Sequence, residues 1–151
     1  MPKYELIDEA VIDAPPMAVY KAVLDEYAGV THWFMPYIEY KPRDDVPVHE
    51  GTIVDAIINP KSRTKMKCST KVTKLVEGKL IEEEYAGDFV GTGKWTFEPT
   101  TEGKTKLQQR QNTKPNKLLF SIVAPFVKVE KGHSETMQKG FKSLNSYLSK
   151  K

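Results

Sequence analysis

The side chains able to do chemistry in this sequence are Glu83, Tyr85, Gln109 and Gln111. Each shares parity with apolar neighbours in a segment of period-two hydrophobicity, so in a strand each points to the buried face. In Lys79–Ala86, Glu83 lies on the side of Ile81 and Tyr85, with Glu82 and Glu84 outside. In Lys104–Thr113, Gln109 and Gln111 lie with Leu107 and Thr113, opposite Lys106, Gln108 and Arg110. Desolvation among aromatics raises a carboxyl pKa, which is what a general acid or base near neutrality requires. Glutamine and tyrosine can hydrogen-bond a ligand carbonyl or hydroxyl and fix its orientation. Glu83 also has a structural reading, because an inward Glu near a strand end is often paired or wet, and one bulge would turn it to solvent. Glu83 is thus a candidate acid or base, and Tyr85, Gln109 and Gln111 are candidate ligand contacts.

The wall around these groups is foreshadowed by Phe89, Gly91, Gly93, Trp95 and Phe97, which share one strand face. Aromatics alternating with glycines give that face bulk and gaps, as a ligand cavity needs. Phe34, Met66, Trp95, Phe97, Met137 and Phe141 are the expected apolar ligand contacts. Cys68, the single cysteine, falls on the apolar side of its strand with Met66, Thr70 and Val72 and reads as a buried thiol rather than a nucleophile. His32, His49 and His133 stand apart, without metal-ligand spacing, and no metal or other cofactor is expected. Gly91-x-Gly93 sits within a strand and opens no helix, so it is no phosphate loop. The acid-free run Lys61 to Lys74 lacks the interleaved aromatics of a nucleic-acid surface and reads as an exposed or edge face.

Positioning these residues requires seven strands. Tyr4–Ile12 opens the chain, and Pro16 suits the first turn of a helix carrying Val19, Tyr20, Val23 and Leu24. A second short helix is expected over Tyr27 to Phe34. Strands follow at Ile38–Lys41, Thr52–Ile58, Thr64–Leu75, Lys79–Ala86, Phe89–Glu98 and Lys104–Thr113, separated by turn residues such as Glu77-Gly78 and Gly87-Asp88. Asn116 is placed to cap a helix interrupted by Pro125, and Met137, Phe141, Leu144 and Leu148 form its apolar stripe. The expected architecture is α+β: a curved antiparallel sheet gripping one long C-terminal helix, with two short N-terminal helices.

The chain of 151 residues, with 39% hydrophobic and 28% charged residues, fits a single domain over residues 1–151. The lone cysteine, the absence of a ~20-residue apolar run and the N-terminal composition favour a cytoplasmic protein. Residues 1–113 carry 15 Lys/Arg against 18 Asp/Glu, a net −3, whereas residues 114–151 carry 8 Lys against 2 Glu, a net +6. The basic tail reads as the solvated face of a helix, with at most a transient membrane contact through it and no nucleic-acid partner. Residues 118–127, Leu118 to Val127, are unusually apolar and suit packing on the sheet, a lid, a dimer contact or a transient membrane contact, leaving monomer and homodimer both open.

The strand leading into Ile12–Tyr20, the Trp33-Phe34 pair, Gly93–Pro99 and the terminal helix with Met137, Gly140 and Leu144 resemble the START-like (SRPBCC) superfamily. These helix-grip proteins include polyketide cyclases, lipid-transfer domains and Bet v 1-like proteins. The resemblance implies an apolar cavity between sheet and C-terminal helix, holding a small hydrophobic molecule of lipid, sterol, polyketide or quinone type. It leaves two activities open: a binding protein, or a polyketide cyclase/dehydratase-type enzyme using the same cavity.

Overall fold

A computed structural model describes residues 4–44, 46–63, 65–116 and 126–150, with only the backbone of residues 126–130. The alternation read from the sequence forms seven strands: β1 (Tyr4–Ile12), β2 (Ile38–Pro42), β3 (Ile53–Ile58), β4 (Met66–Val76), β5 (Leu80–Gly87), β6 (Phe89–Pro99) and β7 (Thr105–Pro115). They make one antiparallel sheet in the order β1-β7-β6-β5-β4-β3-β2. Helix α1 (Pro16–Tyr27) follows β1, and α2 (Phe126–Ser149) ends the chain. Pro16 occupies the start of α1, where its missing N–H costs nothing.

Register lines the inward side chains up in rows across the strands. One row runs Asp8, Gln109, Trp95, Ile81; the next runs Leu6, Gln111, Gly93, Glu83, Val72; a third runs Tyr4, Thr113, Gly91, Tyr85, Thr70. The pairing shifts between Val72 and Lys74 on β4, so the irregularity lies on the neighbouring strand and β5 keeps Glu83 facing inward. Trp95, Phe97, Leu107 and Ile81 are buried under α1 and the Phe141–Leu144 half of α2. Tyr20 meets Phe97 edge-on at 5.5 Å and Phe141 meets Trp95 at 6.4 Å, closing that end of the concave face.

Helix α2 also covers the outer edge of β1. Asn145 Nδ2 donates to Val11 O (3.2 Å), Gln138 Nε2 donates to Glu9 O (3.1 Å), and Asp13 N donates to Asn145 Oδ1 (2.8 Å). Carbonyls that an edge strand would leave to another chain are thereby occupied.

One expectation changes. Residues 33–37 form turns, not a second N-terminal helix, and Tyr27 is the last residue of α1. The cause is Glu26, whose buried carboxylate accepts the amides of Trp33 (3.0 Å) and Phe34 (2.9 Å) and the Thr31 hydroxyl (2.8 Å), holding the segment in a non-helical path. Asn116 donates from Nδ2 to Gly87 O (2.8 Å) and ties the end of β7 to the β5–β6 turn, while the helix expected after it falls on residues outside those described. The lysines of the Lys61–Lys74 run form an exposed face, as one of the two readings had it; Lys67, Lys71 and Lys74 lie on β4, an internal strand rather than an edge. Residues 117–125, most of the apolar segment, lie outside the described residues. No described helix is long and apolar enough to cross a membrane.

Candidate functional site

The half of the concave face away from α1 is not filled. Between it and residues 132–137 of α2 lies a cavity of about 330 Å³, at the lower end of the range of small-molecule sites. Its walls are predominantly apolar, and its polar lining includes Tyr40, Thr70, Glu83, Tyr85, Gln109, Gln111 and His133. Along β6, Trp95 and Phe97 fill one end with their side chains, while Gly91 and Gly93 add none at the other.

Glu83 is the centre of a buried network. Tyr27 Oη donates to Glu83 Oε1 at 2.6 Å, and Tyr85 Oη donates to Glu83 Oε2. Trp95 Nε1 in turn donates to Tyr27 Oη at 2.9 Å. Burial raises the Glu83 carboxyl above the ordinary carboxylate range, opposed by these hydrogen bonds. Burial, reinforced by the Glu83 charge, pushes Tyr27, Tyr40 and Tyr85 well above their usual value, so all three remain protonated at neutral pH. The carboxylate is thus held by two phenol donors, with Tyr40 and Tyr85 facing the cavity beside it.

A different polar group stands one row away and three strands across. Asp8 is 4% exposed on β1 and paired with Gln109 on β7; its Oδ2 lies 3.3 Å from His133 Nε2 on α2. The contact does not meet hydrogen-bond geometry, so neither atom has a formed hydrogen bond among the described residues. Burial acts to raise the Asp8 carboxyl, but His133 and Ser134 hold it below the ordinary range.

Of the residues expected to contact ligand, Met66, Tyr85, Gln109, Gln111 and Met137 line the cavity, and so does Glu83. Phe34, Trp95, Phe97 and Phe141 do not. Trp95 and Phe97 lie under α1 and Phe141, and Phe34 is stacked on Trp33 at 5.1 Å and packed against Gly140. Nor is the gap at Gly93 left for a ligand, because the Tyr85 hydroxyl occupies it and a Cβ there would collide with that ring. At Gly91 (φ 146°) a Cβ would strike the Asn112 backbone, so the gap there is a close approach of β7. Tyr27, Tyr40, Asp8 and His133 were not foreseen. Tyr27 and Tyr40 sit on different elements from Glu83, and the only signal for Asp8 was its parity with Leu6 and Tyr4 on β1.

No family model matches the sequence, and no curated protein matches it. Solved structures do share the fold. A START superfamily protein from Mycobacterium smegmatis is 17% identical, with a TM-score of 0.71 over 97% of each chain. Ara h 8.0201 is 14% identical, with a TM-score of 0.72 over 99% of this chain and 100% of its own. Protein CV1439 from Chromobacterium violaceum is 20% identical, with a TM-score of 0.68 over 96% of this chain and 95% of its own. The chain has the START-like helix-grip fold.

Proposed function

We propose that this protein binds a small hydrophobic molecule in the cavity between its sheet and α2. The observation that carries the reading is the cavity itself: about 330 Å³, mostly apolar, and walled by a polar cluster whose hydrogen bonds are already formed. Burial of apolar ligand surface at ~25 cal/mol per Å² supplies affinity, while the lone pairs of Tyr85 and Tyr40 select a ligand group able to donate. Helix-grip proteins of the START-like type hold hydrophobic molecules in this position, which supports the same reading. Lipid, sterol, polyketide and quinone ligands all suit this chemistry.

A polyketide cyclase/dehydratase-type activity is the second reading. It is supported by Glu83, a carboxyl on the cavity wall whose proton affinity is raised by burial. Binding is favoured over it because both oxygens of Glu83 already accept tyrosine hydroxyls.

The test is titration with the fluorescent apolar probe anilinonaphthalene sulfonate. Ala56, buried on β3 in the cavity lining, is replaced by Phe to fill the space. Wild type is expected to bind with enhanced fluorescence, and Ala56→Phe to bind at least about tenfold more weakly with unchanged circular dichroism. Equal affinity in the two proteins would refute a ligand site in this cavity.

A further inference from the structure

We propose that Gln109, with His133 beside it and Asp8 behind, forms a second polar pole of the cavity that accepts a hydrogen bond from a ligand hydroxyl, so that the ligand is an apolar skeleton with a polar group at each end. The inference rests on the binding reading above and names the ligand class. Gln109 is 3% exposed and lines the cavity, yet its Oε1 has no hydrogen-bond partner among the described residues. Asp8 Oδ2 and His133 Nε2 are buried and likewise unbonded, although 3.3 Å apart. Leaving a buried acceptor unpaired costs about 1–3 kcal/mol, and Gln109 Oε1 is such an acceptor on a cavity wall that His133 also lines, with Asp8 paired to Gln109 across β1 and β7. A hydroxyl is the group that answers this set, since it can donate to the Gln109 carbonyl oxygen and accept from an imidazole N–H. Gln109 and Glu83 are two strands and one inward row apart, about 12 Å over the sheet surface. A rigid skeleton hydroxylated at both ends spans that interval, whereas a simple hydrocarbon chain would satisfy neither pole.

The experiment compares biphenyl, 4-hydroxybiphenyl and 4,4′-dihydroxybiphenyl by displacement of anilinonaphthalene sulfonate. In wild type the dihydroxy compound is expected to bind about tenfold more tightly than the monohydroxy one. Gln109→Leu, which removes the orphan acceptor at nearly constant volume, is expected to shrink that ratio to within about a factor of two. Equal affinities for the monohydroxy and dihydroxy compounds in wild type, or a ratio unchanged in Gln109→Leu, would overturn the second pole while leaving the cavity reading intact. Failure of the fluorescent probe and all three biphenyls to bind would overturn both.

Discussion

A carboxyl group buried among phenols makes folding sensitive to pH, with a sign set by the direction of its shift. Glu83 holds its proton more tightly in the folded than in the unfolded protein. The folded state therefore carries the extra proton, and stability falls as pH rises from the ordinary carboxylate range through the raised folded value. Glu26, raised by burial despite three hydrogen bonds, adds the same sign, whereas Asp8, held low, adds stability that is lost as pH falls. Glu83→Gln cannot ionise, so its Tm is expected to gain on that of wild type as pH is raised from about 4 to about 8. A Tm difference constant over that range would contradict the buried network. Cys68 offers an independent check: burial pushes its thiol up to about 12, so it should react with an aromatic disulfide reagent at pH ~8 roughly a thousandfold more slowly than in unfolded protein. Parity within β5 was enough to aim Glu83 and Tyr85 at one face. Its partner Tyr27 was beyond such reasoning, because it arrives 56 residues earlier on a helix whose packing no local pattern encodes.

At the scale of elements, α2 does two jobs with two faces. Its apolar stripe of Met137, Phe141 and Leu144 closes the core, and Asn145 and Gln138 cap the free edge of β1. Asn145→Ala removes two of these bonds and is expected to cost about 1–2 kcal/mol, a fall in Tm of several degrees read by calorimetry. A loss below about 0.3 kcal/mol would mean that α2 is held by its apolar stripe alone. The strands, α1 and this stripe were legible because burial on one face imposes a period of two or 3.6. The segment after Tyr27 was misread because its aromatic spacing suits a helix, while the feature that decides its path is a single carboxylate, Glu26, spent on backbone amides.

Over the whole molecule, the concave face is divided by side-chain volume into a packed end and a hollow end. The sequence announced the hollow but misplaced its walls: parity said which residues face inward, not how far α1 and α2 reach along each strand. Trp95 and Phe97 are therefore core, while Met66 and Gln111 meet the cavity. The slot at Gly93 turns this division into a limit on ligand size. Tyr85 lines the cavity without filling it because β6 offers its hydroxyl a seat where any other residue would place a β-carbon. In Gly93→Ala the phenol has to vacate that seat, leave Glu83 and lean into the hollow. Affinity for anilinonaphthalene sulfonate should drop at least about tenfold with the secondary structure intact, and an unchanged affinity would show that the ring finds room elsewhere. One hydrogen atom on β6 then acts as the gauge of the pocket, and relatives of this chain that differ there would be expected to sort their ligands by girth.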